Sequence, residues 1–336
     1  PLCNSFLSYE MLGVSEDRYP VRMCWCSECS LAQLDYCVDP KIIYNSSYPY
    51  RTGSSKELVN EFRLVISSLI SRFKLGGNDL VADIGSNDGY FLNEFRRNGV
   101  LTVGVEPTDS AKDAMRLGID TFHGFFDLNV ADAILQRHGQ ASLITAVNLF
   151  ERVASFRKII DGIERLLRSD GVLVLETHYL LDMIQGGQFD AIYHEHVRIF
   201  SLRSLIKLFS YYDFTVFDAE KGNRYRDNIR IYVAKGRGLP VSDNVANMLR
   251  IEDECGLNDL VTYTDFSSRA RAGKNNFVRL IDTIKAEGKS VVANSCPGRA
   301  VSLLNFYEID KNNIEYIVES PSSTKVGMYM PGLHIP

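Results

Sequence analysis

The sequence predicts an α/β protein built on a Rossmann-like, mostly parallel sheet, and three observations carry that expectation. Residues 80–107 read as a buried strand, a tight glycine turn, an amphipathic helix and a second strand that ends on an acid. The segments beyond keep alternating strand with helix, the pattern of a parallel sheet covered on both faces. Two later strand-like runs, 214–220 and 228–235, are separated by a turn-rich stretch containing Gly222 and Asn223, and read as an antiparallel hairpin closing the sheet.

Each element has its own local reason. Val81, Ala82 and Ile84 make the short apolar run of a fully buried strand, and Gly85 and Gly89 let the chain turn steeply where a ligand must approach the backbone. A helix over 109–117, a short apolar segment over 121–126, a helix over 130–138 and a strand over 142–147 follow. A helix over 155–167 then leads into a strand over 171–177. Beyond residue 236 a mostly helical stretch, 243–286, is broken near Gly256 and leads to a strand over 290–294, a helix over 299–307 and a strand over 314–318, a βαβ unit. The expected division is therefore 1–55, a small cysteine-containing module; 56–236, the ligand-binding domain; and 237–336, a C-terminal α/β domain.

The turn spacing selects the ligand. A dinucleotide fingerprint needs G-x-G-x-x-G to bring pyrophosphate onto a helix N-terminus. Here the turn reads Asp83-x-Gly85-x-Asn87-x-Gly89, with an acid ending the first strand. A carboxylate there repels pyrophosphate and suits a cofactor carrying an ammonium and a sulfonium with no phosphate. That description fits S-adenosylmethionine; a glycine-rich turn in a phosphate-binding or ligand-free α/β domain is the alternative. Asp83, Gly85, Ser86, Asn87 and Gly89 are expected at the methionine end, Glu106 at the ribose, Pro107 with Phe125 and Phe126 at the adenine, and Asn148 beside the methionine moiety. Of the two phenylalanines, only one is expected to face the ligand, since paired aromatics usually pack in a core.

Composition sets the broad class. Hydrophobic residues make up 45% of 336 and charged residues 24%, an ordinary globular balance. A net charge of −5 without Lys/Arg blocks argues against nucleic acid as a partner. No apolar run approaches the ~20 residues of a membrane helix, and no leader precedes an apolar stretch, so a cytoplasmic protein is expected, as a monomer or homodimer. Of seven cysteines, five fall in the first 37 residues. Cys26 and Cys29 form a C-x-x-C able to reach one tetrahedral zinc, but a structural site needs a second pair. The two readings are half of a zinc site and ordinary reduced cysteines.

Tyr193, His194, Glu195 and His196 place four proton-handling or hydrogen-bonding side chains in a row after the fifth strand, on the edge where a methyl donor would lie. Methylation at carbon requires a base near working pH to remove a proton beside a carbonyl, and donors to hold the enolate oxygen. Histidine suits the first task and tyrosine or a cation the second. A polar loop with capping histidines is the plain alternative.

Several segments together resemble a known family, the three-domain sugar C-methyltransferases that act on nucleotide-linked 4-keto-6-deoxyhexoses. They are PLCNSFL (1–7), CSECSLAQL (26–34), SSYPYRTGSS (46–55), DIGSNDG (83–89), GVEP (104–107), GFF (124–126), NLFERV (148–153), ETHYLLDMI (176–184), FDAIYHEHVRIFS (189–201) and KVGMYMPG (325–332). The resemblance implies a class I S-adenosylmethionine-dependent methyltransferase domain between an N-terminal zinc-type domain and a C-terminal Rossmann-like domain that covers the site. It implies a zinc held by two C-x-x-C pairs, of which this chain carries the second. It also implies His196 as base, Tyr193 as partner of substrate or enolate, and Glu195 as the group that orients or tunes the histidine. Tyr48, Tyr50, Arg152, His178, His194, Asn228 and Arg230 are the expected substrate contacts.

The chain departs from that family's pattern at positions that bear on chemistry. Where the family reads N-V-F-A-H, this chain has Asn148-Leu149-Phe150-Glu151-Arg152, and arginine cannot carry a proton. Arg224-Tyr225-Arg226-Asp227-Asn228 replaces H-G-G-S, His178 replaces a proline, and the A-S-x-K-G turn becomes Ser295-Cys296-Pro297-Gly298. The departures suggest retained cofactor chemistry with a changed acceptor. Transfer to oxygen or nitrogen of another small polar acceptor, and a non-catalytic binding module, stay open as alternatives.

Overall fold

The computed structural model describes residues 1–45, 48–222, 228–321 and 323–336. Two short strands, β1 (Met23–Trp25) and β2 (Ala32–Leu34), pair antiparallel in the N-terminal module, and α1 (Pro40–Ile43) follows. Helix α2 (Lys56–Phe73) starts where the Ser55 side chain accepts from Leu58 N–H, satisfying one orphan donor of the first turn.

The central sheet then builds from β3 (Leu80–Ile84), α3 (Tyr90–Arg97), β4 (Leu101–Glu106), α4 (Ser110–Arg116), β5 (Thr121–His123), α5 (Leu128–His138), β6 (Ala141–Val147), α6 (Phe156–Leu166) and β7 (Leu167–His178). After β7 come α7 (Leu180–Gln185), β8 (Arg198–Ile199), α8 (Leu202–Tyr211) and the strands β9 (Phe214–Gly222) and β10 (Asn228–Lys235). Strand order is β5-β4-β3-β6-β7-β10-β9, parallel from β5 to β7, with β10 antiparallel to both neighbours. The expected edge hairpin is therefore present, and strand order reverses at β3 and β6. Ligands of open α/β sheets bind at the carboxyl ends beside such a reversal.

The parallel strands are apolar almost throughout because both faces are covered. Leu58, Phe62, Ile66 and Leu69 of α2 join Phe91 and Phe95 of α3 on one face. Ile134 of α5, Ile160 and Ile163 of α6 and Leu205 and Phe209 of α8 cover the other.

The C-terminal part contains α9 (Asp243–Glu254), the long α10 (Leu260–Ala286), β11 (Ala293–Asn294), α11 (Gly298–Tyr307) and β12 (Ile317–Val318). The helical break falls at Gly256, which sits at φ +66°. Strands β11 and β12 pair in parallel around α11, the expected βαβ unit, although each strand is only two residues long.

The three parts interlock around one edge. β8 adds to β2, Leu7 bridges Tyr329, and Trp25 stacks on Tyr263 with ring centroids 4.9 Å apart. Arg299 at the start of α11 donates to both Asp190 oxygens and to Gln188, and Ser302 donates to Ile192 O, bracing the segment that leads into residues 193–196. Of the loop 224–228, only Asn228 falls within the described residues, as does the SSYPY stretch from Tyr48 onward.

Candidate active site

The glycine turn lies between β3 and α3. Gly85 and Gly89 have φ of +81° and +78°, and Asn87 joins them in the left-handed region at +50°. A side chain at Gly89 would place its first carbon 2.8 Å from Ala114 Cβ, so only glycine lets the helix pack here. Beside the turn, Ser86 Oγ and Asp88 Oδ1 are buried without a hydrogen-bond partner among the described residues. Unpaired buried polar atoms at the carboxyl end of the first parallel strand fit a bound polar ligand.

Glu106, at the end of β4, is buried and anchored. Its Oε2 accepts Asn87 N–H at 3.0 Å, and its Oε1 accepts Thr108 N–H at 2.8 Å and Thr108 Oγ1–H at 2.6 Å. Three of its roughly four acceptor positions are thereby used, so it retains capacity for one ribose hydroxyl rather than two. Asp83 is buried, with Thr145 Oγ1 donating to it at 2.6 Å. Burial, with Glu106 nearby, raises its carboxyl to about 7 against the Thr145 bond. The Asn87 amide turns outward: its Oδ1 accepts Thr52 N–H and Oγ1–H, its Nδ2 donates to Tyr50 O, and Asp88 accepts Gly53 N–H. Asn87 thus fastens the 50–53 segment over the turn instead of presenting its amide to a ligand.

Pro107 is half-buried beside the turn, Phe125 is 44% exposed and Phe126 is 5% exposed. Phe126 packs against Gly162, which a Cβ would bring to 2.7 Å of its ring. It belongs to the core, and Phe125 alone offers a face at the strand ends. Asn148, at φ +50°, closes β6; its backbone N–H donates to Glu176 O and its Oδ1 accepts from Asn228 Nδ2.

Tyr193 and Arg152 converge on His196. The His196 Nδ1 lies 2.8 Å from Ala191 O, an arrangement that places the proton on Nδ1 and leaves Nε2 an unprotonated acceptor. Nε2 faces Tyr193 Oη at 3.3 Å and Arg152 Nη2 at 3.4 Å. Burial, then the neighbouring His178 and Arg152, hold His196 well below the usual histidine range. Burial pushes the Tyr193, Tyr48 and Tyr44 hydroxyls up, so they stay protonated donors.

Glu195 does not orient the His196 ring, as the sequence reading had it; Ala191 does. Glu195 instead accepts from Arg152 Nη1 at 2.5 Å, from Tyr48 Oη at 2.8 Å and from Asn4 Nδ2. Arg152 also donates through Nε to Asn148 O at 2.9 Å, and through Nη1 to Tyr44 Oη at 3.4 Å. The 148–152 segment touches the glycine turn, because a Cβ on Gly85 would meet Leu149 Cδ1 at 3.3 Å. The basic, phenolic and imidazole groups therefore adjoin the cofactor turn.

Other expected substrate contacts are engaged elsewhere. His194 Nε2 donates to Tyr19 O at 3.0 Å, and the ring packs edge-on to the Tyr19 ring, against the N-terminal module. Arg230 forms a buried ion pair with Glu176 at 2.7 Å and a second bond to Glu220. Asn228 donates to Glu176 as well. Tyr50 keeps an exposed ring, and His178 lies beside His196 with ring centroids 4.4 Å apart. Asn4, Tyr44 and Glu151 were not anticipated; Asn4 is 191 positions from Glu195, and no local pattern announces such a contact.

In the N-terminal module, Cys26 accepts backbone N–H bonds from Cys29 and Glu28, which lower its thiol. Ser30 at φ +59° closes the turn with a bond to Cys26 O. This arrangement suits two thiolate ligands of a metal ion. Among the described residues no third cysteine joins them, and Cys3 lies buried in a cluster with Cys296 and Tyr193.

The strand order with its antiparallel β10 and the glycine turn define the class I fold of S-adenosylmethionine-dependent methyltransferases. Family models agree along the chain: a zinc binding domain matches residues 1–44, a methyltransferase domain matches 60–219 and the C-methyltransferase C-terminal domain matches 227–336. The C-methyltransferase NovU of Streptomyces niveus is 28% identical over 338 residues, covering 100% of this chain and 80% of that protein. The chain belongs to the three-domain C-methyltransferases: it is an enzyme that uses S-adenosylmethionine. Similar solved structures include the YcgJ protein from Bacillus subtilis (16% identity, 53% of this chain and 99% of that one, TM-score 0.41). A methyltransferase from Geobacter sulfurreducens in complex with S-adenosyl-L-homocysteine is another (17%, 55% and 74%, TM-score 0.37). No helix among the described residues is long and apolar enough to cross a membrane.

Proposed function

We propose that the chain methylates a carbon beside the carbonyl of a nucleotide-linked keto-deoxysugar, through an enolate, with His196 as general base. The observation that carries this reading is the convergence on His196 Nε2: an unprotonated nitrogen flanked by the Tyr193 hydroxyl and the Arg152 guanidinium. Removing a proton from carbon needs a neutral base together with a donor for the oxygen that becomes negative. His196 takes the proton; Arg152 and Tyr193 hold the oxygen. Glu195, Tyr48 and Asn4 fix the guanidinium in place. S-adenosylmethionine, when bound, supplies the electrophilic methyl group.

Asp83, Gly85, Ser86, Gly89, Glu106, Pro107, Phe125 and Asn148 are the proposed cofactor contacts. The nucleotide-sugar class rests on the family resemblance. Action on such metabolites fits a cytoplasmic enzyme.

The test incubates the protein with a nucleotide-linked 4-keto-6-deoxyhexose in deuterated water without methyl donor, and follows the α-proton by NMR. Exchange is expected in the wild type and not in His196→Asn. Methyl transfer to oxygen or nitrogen without any exchange would replace this reading.

A further inference from the structure

Behind the proposed base lies a second cluster that the chemistry above does not use. Glu151 Oε1 and His178 Nδ1 are both buried and have no hydrogen-bond partner among the described residues. They stand 3.8 Å apart, too far to share a proton in a hydrogen bond. One donor atom from each of Glu151, His178 and His196 lies within 4.8 Å of the other two.

Such spacing has a meaning around an ion. With bonds of about 2.1 Å, two donors on one cation stand roughly 3.4 Å apart in a tetrahedron and about 4.2 Å when opposed. The Glu151–His178 gap falls inside that range, and the other spacings, all within 4.8 Å, exceed it by about half an ångström at most. The outer atoms are held as metal ligands usually are: Thr177 Oγ1 donates to Glu151 Oε2 at 2.8 Å, and Ala191 O fixes His196 through Nδ1. Charge points the same way. Two buried carboxylates, Glu151 and Glu195, adjoin a single guanidinium, Arg152, 3.7 Å from the first and 2.5 Å from the second. The cluster is short of positive charge; Arg152 is held through Nε and Nη1, and an ion at His196 Nε2 displaces only the longer Nη2 contact at 3.4 Å.

We propose that Glu151, His178 and His196 bind a divalent cation of the class that imidazole and carboxylate share, such as Zn²⁺, Co²⁺ or Ni²⁺, and that the bound ion occupies the Nε2 lone pair of His196. Glu151 and His178 stand at two positions where the chain departs from its family's pattern, so the site is a property of this chain. Its consequence, which rests on His196 being the base, is reversible inhibition by the ion.

Cobalt titration of the chelator-treated full chain tests the site directly. The expected signal is a cobalt d–d absorption that persists, without a thiolate-to-cobalt charge-transfer band, when Cys26→Ser and Cys29→Ser are combined. Affinity is expected to fall at least tenfold in Glu151→Gln and in His178→Gln, with circular dichroism confirming that each variant is folded; Glu151→Gln alone decides if His178→Gln is not. Absence of the band in the folded wild type, or its persistence at unchanged affinity in Glu151→Gln, overturns the proposal. In the exchange assay, Co²⁺ is expected to suppress α-proton loss and a chelator to restore it. Binding with exchange unaffected would keep the cation site and remove His196 as base.

Discussion

The Arg152 guanidinium is joined to the Glu195 carboxylate at 2.5 Å, and it is this pair, not a histidine–carboxylate pair, that organises the site. Glu195 is 5% exposed at its side chain and Arg152 20%, and without Glu195 the guanidinium keeps only the longer pairing with Glu151 at 3.7 Å. Breaking a buried pair costs up to about 3–5 kcal/mol. Glu195→Ala is therefore expected to lower stability by about that amount in urea unfolding and to reduce turnover by about 10²-fold or more, since Arg152 loses its aim. A stability change under 1 kcal/mol would show that Tyr48 and Asn4 do not rely on this pair.

His196→Asn should abolish α-proton exchange while leaving affinity for S-adenosyl-L-homocysteine within a few-fold. The imidazole contacts Ala191, Tyr193 and Arg152, and no bond runs from it to the glycine turn. Calorimetric titration of the variant with S-adenosyl-L-homocysteine checks this; a collapse in affinity would mean that the two sites share more structure than Leu149 provides.

What was legible in the sequence was what depends on near neighbours. The Asp83 to Gly89 turn, the acid closing β4 and the βα alternation each follow from patterns a few residues long, and the sheet formed as read. The adjacency of Tyr193, Glu195 and His196 was equally plain, but not their partners. Whether Glu195 faces His196 or Arg152 is settled by elements 43 to 191 positions away, including Asn4 at the start of the chain. Arg230 looked available until its cross-strand neighbour Glu176 claimed it, a pairing fixed by the β7–β10 register. The strands expected over 290–294 and 314–318 form as the two-residue pair β11 and β12, a shortening that no local pattern announced.

Glu106→Ala should weaken S-adenosyl-L-homocysteine binding by at least tenfold. The loss has two parts: a ribose acceptor disappears, and Asn87 N–H and Thr108 N–H lose the carboxylate that shapes the turn. Glu106→Gln separates them, because an amide oxygen can keep one backbone bond. It should recover part of the affinity, and equal loss in both variants would assign the effect to charge alone.

Asp83 is expected to make cofactor binding depend on pH. Its carboxyl is raised by burial, and further by Glu106, to about 7, from an ordinary value near 3.8. A raised folded-state value means that the folded chain holds a proton which the unfolded chain has released. Stability from this group is therefore fully present below about pH 4 and is lost as pH rises through about 7, by on the order of a few kcal/mol at most. A ligand bringing an ammonium group to Asp83 favours the carboxylate and reverses that loss. Affinity for S-adenosyl-L-homocysteine is thus expected to rise as pH passes through 7, with protons released on binding. Titration calorimetry in two buffers of different ionisation enthalpy measures the release, and Asp83→Asn should bind more weakly with a flat profile. Proton release that persists in Asp83→Asn would place the titrating group elsewhere on the β3 edge.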